Sequence, residues 1–313
     1  MQEEIFISGR DLPKIDPNLE IWHLPIALYL FLGGLAAGII FFAALFTVID
    51  KDKQVPAVVK YAMIIVPIAL SIGLIALFYD LTHKLYFWQL YTTVRLESPM
   101  SWGAWVLLII TPLTFLWVFS YISEILPKWI VPFVFLEKFK TYLVKNRKTM
   151  AFILLPLAVI LGIYTGILLS AFNARPLWNN SILGPLFLTS GLSTGAAAIL
   201  LLSKTHFEKS LFTKIDLGLI IIELALIVHM IMGMYAGSAV QLEALDILIG
   251  GEYTLMFFGF VIILGLLIPA LLETIELFGY KVPVIVPSIL VLLGGLIFRV
   301  VMVEAGQLTR YLY

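Results

Sequence analysis

Cysteine is absent from this 313-residue sequence, and charged residues make up only 13% of it. Without thiolates the protein can form no disulfide and cannot ligate an iron–sulfur cluster, so we expect any such centre to belong to another subunit. Soluble domains are about one-quarter charged, so the composition excludes a mainly soluble protein. The 20 basic and 20 acidic residues cancel. This zero net charge gives no electrostatic support for a nucleic-acid partner.

Histidine is also scarce, with four residues in the whole sequence. A membrane anchor that holds two b-type haems needs pairs of histidines at suitable depths on facing helices. Here His23 and His83 lie near the edge of the predicted spans, His206 lies in a loop, and only His229 lies within a span. We therefore expect neither a bis-histidine haem nor a histidine-ligated metal site in this protein.

Long apolar segments are abundant, since 61% of the residues are hydrophobic and the mean hydropathy is +1.04. A bilayer core of about 30 Å takes about 20 helical residues, because backbone amides cannot remain unpaired in lipid. Eight segments meet this length and predict an all-α integral membrane protein of eight transmembrane helices. Their predicted bounds are 24–49, 61–79, 104–126, 151–172, 182–202, 215–235, 254–272 and 283–303.

The basic residues predict on which side of the membrane each loop lies. Short loops rich in Lys and Arg stay on the cytoplasmic side. The loops on one side carry thirteen Lys and Arg, whereas the other side carries six. With an even number of spans, this bias predicts that both termini lie outside, on the periplasmic side of a prokaryotic inner membrane. Residues 1–21 lack the basic and short apolar regions of a signal peptide and are interpreted as part of a retained outer arm.

An internal similarity predicts that the spans form two four-helix bundles. The GLAAG motif at 34–38 in the first span resembles GLSTG at 191–195 in the fifth, and Trp22 and Trp178 precede them at similar distances. For the glycines alone, close helix packing is a better explanation than duplication. The matched tryptophans, however, favour a parallel duplication. The predicted organisation is a single membrane domain, 1–313, divided into the outer arm and two groups of helices at 1–23, 24–172 and 173–313.

The predicted outer loops hold most of the unusual sequence. Four stretches fall on this side: WH at 22–23, DLTHK at 80–84, ESPMSWGAW at 97–105 and YTGILLSAFNARPLW at 164–178. An aromatic belt at the membrane interface explains their tryptophans and tyrosines. It does not explain the polar residues beside them, which are Asp80, His83, Asn173 and Arg175. We therefore expect a functional site near the outer face.

Few ionisable residues lie within the spans, where each is costly unless it is paired or faces a wet cavity. Glu223 and His229 lie in the sixth span, about 9 Å apart along the helix axis and on different faces. Two interpretations remain open: successive stations of a proton relay, or residues that each satisfy a local partner and fix packing. A second group is interpreted as snorkelling or solvated near the span ends: Arg299, Glu304, Glu273 and Glu276.

The outer motifs resemble those of the NrfD/PsrC family, the membrane subunits of polysulfide reductase, formate-dependent nitrite reductase and related molybdoenzyme complexes. The resemblance extends over essentially the whole sequence and rests on WH and YLFLGGLAAG at 22–38, SPMSWGAW at 98–105, and YTGILLS and RPLW at 164–178. It implies an eight-helix, quinone-reactive anchor without haem. It also implies an outer iron–sulfur subunit with four clusters and a molybdopterin catalytic subunit, without which the anchor is not active.

The resemblance further implies where a quinone, menaquinone or ubiquinone, binds. Tyr164 matches the family's helix-four tyrosine, which hydrogen-bonds the quinone head group, and Tyr29 and His23 lie in the assisting stretch of helix one. The sequence departs from polysulfide-reductase-like members there, with apolar Ile26 and the Tyr29 phenol in place of an amide and an imidazole. The supporting motif residues are Ser98, Trp102, Asn173, Arg175 and Trp178.

Quinone turnover moves two electrons with two protons, so the site needs hydrogen-bond donors and a titratable route to water. His23, Asp80 or His83 would carry protons outward, and Glu223 with His229 would open a route inward. Two other functions remain open, a passive tether for soluble redox subunits and a secondary transporter. The transporter is disfavoured because the repeat is parallel and the prolines are expected near span ends rather than at mid-depth.

Overall fold

The computed structural model describes residues 22–127 and 133–309. Within these residues the structure is all-helical, and eight helices are long and apolar enough to cross a membrane. We number them α1–α8: Leu24–Val48, Ala57–Asp80, Pro99–Ile125, Arg147–Ser170, Leu183–Leu202, His206–Tyr235, Leu255–Leu277 and Ile285–Leu308. The predicted all-α fold with eight spans is confirmed. The predicted arm at 1–21 and the basic residues Lys128 and Arg310 lie outside the described residues.

The start of α6 shows why several helices exceed their predicted bounds. Thr205 caps this helix: its Oγ1 accepts the Glu208 N–H at 3.2 Å, and the Glu208 carboxylate accepts the Thr205 N–H at 3.4 Å. This reciprocal capping box satisfies first-turn N–H groups in a polar stretch that hydropathy alone excludes from the span. Glu208 Oε1 also accepts the Ala57 N–H at 2.7 Å, which fixes the start of α2 against α6.

Three prolines lie in the middle of helices, so the prediction that they fall near span ends was wrong. Pro67, Pro112 and Pro156 are inside α2, α3 and α4. The predicted spans began too late, and the helices continue through the prolines because side chains and altered helix geometry satisfy the freed backbone groups. The Ser71 hydroxyl donates to the Pro67 carbonyl at 2.7 Å, a serine back-bond to the preceding turn of the kind that often accompanies a bend in a helix. Part of α2 and part of α7 are π-helical, at Ala57–Ala62 and Leu255–Leu267.

Helix α1 lies at the centre of the molecule and contacts α2, α4, α5 and α8. It is apolar on all sides, as expected for a helix surrounded by others. Where it crosses α5, a Cβ on Gly38 would lie 2.2 Å from the Gly191 carbonyl oxygen, and a Cβ on Gly195 would lie 2.7 Å from Gly38 Cα. Glycine therefore permits direct backbone contact at this crossing. The packing explanation of the two glycine motifs is confirmed.

The two ends of the helix array have different contacts. We call one end the terminal face, because it carries the start of α1 and the end of α8: the Trp22 N–H donates to Gln307 Oε1 at 2.8 Å, and Gln307 Nε2 donates to the Trp22 carbonyl at 2.6 Å. The other end is the basic face. There Glu124 of α3 pairs with Lys60 at 2.6 Å and with Arg147 at 2.8 Å, which joins α2, α3 and α4.

Two helices of 12 and 11 residues, besides several single turns of helix, were not predicted. Val134–Lys145 lies at the basic face between α3 and α4, and Ala239–Ile249 follows α6 at the terminal face. The first is amphipathic, with basic residues beside exposed Phe135 and Tyr142. It is too short to span a bilayer, so the search for long apolar segments missed it.

Candidate functional site

Two buried tyrosines lie together near the terminal face. Tyr29 of α1 is 2% exposed and Tyr164 of α4 is 7% exposed. Their hydroxyl groups are close enough to interact, but the Tyr29 hydroxyl has no hydrogen-bond partner of good geometry among the described residues. An unpaired buried hydroxyl is costly. The pair therefore offers phenol donors to a ligand that carries carbonyl oxygens.

The Tyr164 ring lies directly against the α3 backbone at Gly103. A Cβ on Gly103 would lie 1.9 Å from Tyr164 Cζ and 2.3 Å from its hydroxyl oxygen. Any other residue at this position must displace the tyrosine. Gly103 was not among the predicted site residues, although it belongs to the quoted SPMSWGAW motif. The available signal was a glycine near the start of an otherwise apolar helix. Glycine weakens a helix, so its presence there indicates that another group approaches the backbone closely.

The Tyr29 ring is held by its own helix and by α2. Ile26, one turn earlier on α1, is 3% exposed, and a Cβ on Gly73 of α2 would lie 3.5 Å from Tyr29 Cδ2. Tyr91, in the connection between α2 and α3, is close enough to interact with Tyr29 electrostatically. Sequence reasoning missed Gly73 and Tyr91 because their proximity depends on how the α2–α3 connection folds back over the helices.

Two of the predicted outer polar residues come together beside this pair. His23 precedes α1 and is exposed, and it lies within electrostatic range of Asp80 at the end of α2. His83 instead lines a neighbouring cleft of ≈ 470 Å³ at the terminal face, together with Arg95 and Ser98. His23 and Asp80 thus lie closer than the tyrosines to the terminal ends of α1 and α2, and His83 lies in the α2–α3 connection.

The RPLW motif at 175–178 is held against α8. Arg175 is buried and its guanidinium donates to the Thr309 carbonyl. The Trp178 indole N–H donates to the Met302 carbonyl at 2.7 Å, and a Cβ on Gly306 would lie 1.9 Å from Trp178 Nε1. These contacts explain the motif by packing: it fastens the α4–α5 connection to the last helix.

The other supporting residues have different surroundings. Trp102 is 54% exposed, and its indole N–H donates to the Leu96 carbonyl at 2.8 Å, which fixes the turn before α3. Ser98 immediately precedes α3. Asn173 is exposed. Ser98 and Asn173 lie in the connections that precede α3 and follow α4, and Trp102 lies in the first turn of α3.

A second group of ionisable side chains lies inside α5–α8. Glu223 is 2% exposed, whereas His229 points to the outer surface of α6, so the structure does not bring these two together. Arg299 and Glu273 are both fully buried at 0% exposure. The interpretation of Arg299 and Glu273 as snorkelling or solvated was wrong, because α7 and α8 extend beyond the predicted bounds and place both residues inside the helix array.

Comparison with known proteins gives the family. A family model described as "Polysulphide reductase, NrfD" matches residues 14–310. The chain belongs to the NrfD family. The resemblance drawn from the sequence motifs is thereby confirmed.

Three curated relatives of this NrfD-family protein match over nearly their full length. The C subunit of polysulfide reductase from Wolinella succinogenes is 32% identical over 307 residues, which span 93% of the present sequence and 95% of the relative. Protein NrfD of Escherichia coli is 31% identical over 304 residues, spanning 92% and 96%. The NrfD homolog of Haemophilus influenzae is 30% identical over 314 residues, spanning 95% and 98%.

Membership of the NrfD family agrees with the eight apolar helices, and an oxidoreductase-subunit role fits the family. Within the described ranges, the NrfD-family protein has no group of three His, Cys, Asp or Glu side chains arranged to hold a metal ion. Its buried ionisable groups include the two tyrosines near the terminal face and the carboxyl and guanidinium groups among α5–α8.

Proposed function

We propose that this NrfD-family protein is the haem-free, quinone-reactive membrane anchor of a respiratory molybdoenzyme-type oxidoreductase complex. The observation that carries the proposal is the pair of buried phenols, Tyr29 and Tyr164, of which Tyr29 has no hydrogen-bond partner of good geometry among the described residues. A passive tether needs no such group inside a bilayer, where unpaired polar atoms are costly. Family membership, and relatives such as a polysulfide reductase subunit, support a role within a complex.

The proposed chemistry requires proton and electron transfer at the quinone ring. Quinone reduction takes up two electrons and two protons, and quinol oxidation releases them. Tyr164 donates a hydrogen bond to one ring carbonyl and Tyr29 assists, while His23 and Asp80 exchange protons with water at the terminal face. His83, in the neighbouring cleft, is a second route for these protons.

The electrons come from or go to partner subunits, because this protein has no thiolate for an iron–sulfur cluster. A four-cluster iron–sulfur subunit docks at the terminal face, near the tyrosine pair, and connects it to a molybdopterin catalytic subunit. The quinone, menaquinone or ubiquinone, is an exchangeable substrate. The anchor turns over only when its partner subunits are bound.

The proposed arrangement in the membrane is two four-helix bundles related by duplication. Supporting contacts join α1 to α2 and α4, and α3 to α2 and α4; the same pattern joins α5 to α6 and α8, and α7 to α6 and α8. The terminal face lies on the periplasmic side of the inner membrane and the basic face in the cytoplasm. The concentration of Lys and Arg in the basic-face loops supports this orientation.

The decisive experiment removes one hydroxyl from the site. Tyr164→Phe keeps the ring that fills the space beside Gly103 and deletes the donor, so the complex should assemble normally. We expect quinone-linked turnover of the purified complex to fall by about tenfold or more, as expected for loss of one catalytic hydrogen bond or proton donor. Tyr142→Phe, on the exposed surface of the Val134–Lys145 helix, is the matched control and should retain full turnover.

The other outcomes separate the competing functions. Wild-type turnover in Tyr164→Phe would show that the quinone site is elsewhere. Purification with redox subunits but without quinone-linked activity would identify a tether. A protein that purifies without redox partners or quinone, as judged by mass spectrometry of proteins and extracted lipids, would favour a transporter.

A further inference from the structure

The helix Val134–Lys145 lies at the basic face, at the opposite end of the helix array from the tyrosine pair, and one side of it packs along α3. The Phe139 ring stacks on Phe119 of α3, with the ring centroids 6.3 Å apart. Lys140 Nζ donates to Ser123 Oγ of α3 at 2.8 Å. These contacts fix the helix beside α3, and the opposite side of the helix is exposed.

The contacts with α3 place this helix at the level of the membrane boundary. Phe119 precedes Ile125, the last residue of α3, by about 9 Å along the helix axis. The outer surface of α3 near this level is apolar, since Phe115 is 52% exposed. A bilayer that covers this surface therefore extends to the helix, which lies where the headgroups meet the hydrocarbon chains rather than in the water beyond.

The exposed side of the helix carries large apolar residues. Val134 is 76% exposed and Phe135 is 74% exposed. Contact with water leaves their apolar surface unburied, which is unfavourable. At a membrane boundary the same side chains insert between lipid chains, as in helices that lie in the plane of an interface. The apolar side chains therefore favour lipid as the neighbour of this side.

The same side of the helix carries two exposed lysines, Lys138 and Lys145. With 3.6 residues per turn, both lie between the directions of Val134 and Phe135, within an arc of about 100°. A lysine has a long apolar stem, so it can lie along lipid chains while its ammonium group reaches the headgroups. The two lysines are seven residues apart, which separates their Cα atoms by about 10.5 Å along the helix.

Neighbouring acids do not neutralise these two lysines. Residues 133–148 contain five basic residues and one acidic residue. The three other basic residues are each paired with a carboxylate: Lys140 with Glu137 at 2.5 Å, Arg147 with Glu124 at 2.8 Å and Lys148 with Asp50 at 2.5 Å. Neither Lys138 nor Lys145 forms an ion pair with another residue in the described ranges. Both ammonium groups are therefore available to an external anion.

We propose that the side of the helix formed by Val134, Phe135, Lys138 and Lys145 binds anionic phospholipid in the leaflet that the basic face meets. The apolar side chains lie among the acyl chains, and the two ammonium groups contact the headgroup phosphate. Basic side chains beside a spanning helix are attracted to anionic headgroups. A zwitterionic headgroup carries its own cation, which the lysines repel, so the surface selects lipids with a net negative charge. The binding does not depend on quinone turnover.

The test places a fluorescent probe between the two lysines. Thr141 is exposed and lies three residues after Lys138 and four before Lys145, so Thr141→Cys adds one thiol to a protein that has none. The full-length protein, labelled there with bimane, is reconstituted in phosphatidylcholine vesicles. Phosphatidylglycerol or phosphatidylcholine with a nitroxide near the start of an acyl chain is then added as the quencher. We expect stronger quenching by phosphatidylglycerol, with a preference that weakens as salt is raised.

Three double variants in the labelled protein identify the charges responsible. Lys138→Gln with Lys145→Gln should lower the ratio of quenching by the two lipids to about one, because the local attraction to anionic headgroups is lost. Lys138→Arg with Lys145→Arg keeps both charges and should keep the preference. Lys51→Gln with Lys53→Gln removes two exposed charges from the α1–α2 connection at the same face, and it should also keep the preference.

Four results would overturn the proposal. Equal quenching by the two lipids would mean that the helix contacts the bilayer without selecting a headgroup. Absence of quenching by either lipid would place this side away from the bilayer, where an acidic protein surface becomes the better partner. A preference that survives in the glutamine variant of Lys138 and Lys145 would assign it to other charges. An equal loss in the Lys51 and Lys53 variant would reduce it to the overall charge of the basic face.

Discussion

At the scale of single residues, the position of the Tyr164 hydroxyl depends on Gly103 of the neighbouring helix α3, which has no side chain. The ring fills the space in which a Cβ of residue 103 would lie. A glycine inside a helix costs about 1 kcal/mol relative to alanine, so its presence here is explained by the close approach of Tyr164. The proposed site thus combines a hydroxyl donor on α4 with a glycine on α3 that leaves room for it.

Gly103→Ala should therefore impair the site without removing any polar group. The new methyl group must move the Tyr164 ring, and overpacking of this kind costs about 1–3 kcal/mol. We expect quinone-linked turnover to fall as it does in Tyr164→Phe, although the hydroxyl is still present, and this is measured on the assembled complex. Gly218→Ala, where no described atom lies within 4 Å of the new Cβ, should keep turnover and stability. Normal turnover in Gly103→Ala would show that the Tyr164 position is unimportant.

The residues of the proposed site were only partly predictable. Tyr164, Tyr29 and His23 follow from the motifs, because a family resemblance fixes residue types at positions along the sequence. Gly103 and Tyr91 do not, because their importance lies in contacts between helices that no local pattern encodes. Arg299 was misjudged for a related reason: its charge predicts a position near water, whereas its partners Ser190 and Phe187 come from a different helix.

At the scale of helices, the existence of the spans was predictable and their ends were not. Twenty apolar residues in a row have few alternatives to a membrane helix, so all eight were found. The ends depend on capping and on polar first turns, as at Thr205 and Glu208, where a hydrogen-bonded box extends α6 into a charged sequence. Hydropathy carries no information about such bonds.

The crossing of α1 and α5 gives a prediction at this scale. Gly38→Ala places a methyl group 2.2 Å from the Gly191 carbonyl oxygen, a backbone atom that cannot rotate away. The two helices must separate, which we expect to destabilise the protein by about 1–3 kcal/mol and to lower its unfolding temperature in detergent. Gly233→Ala on α6, with open space around the new Cβ in the described structure, is the control and should unfold at or above the wild-type temperature. Equal unfolding temperatures for the two variants would contradict a close α1–α5 contact.

At the scale of the whole molecule, the two faces of the helix array carry different ionisable groups. The tyrosine pair, the His23–Asp80 pair and the cleft beside His83 all lie toward the terminal face. Glu276, near the end of α7, lies instead within electrostatic range of His206 and Lys209 at the basic face. The proposed quinone site therefore exchanges its protons with the compartment that the terminal face meets.

Which compartment each face meets depends on the orientation of the protein in the membrane. Because the sequence contains no cysteine, single introduced cysteines can be labelled to measure that orientation. We expect a single cysteine introduced by Thr92→Cys, exposed at the terminal face, to react with a membrane-impermeant maleimide in intact spheroplasts. Lys145→Cys, exposed at the basic face, should react only after the membrane is opened, because basic loops remain cytoplasmic. Labelling of both variants in detergent shows that each thiol is reactive. The reverse pattern would place the tyrosine pair near the cytoplasm, and quinone protons would then be exchanged with that compartment instead.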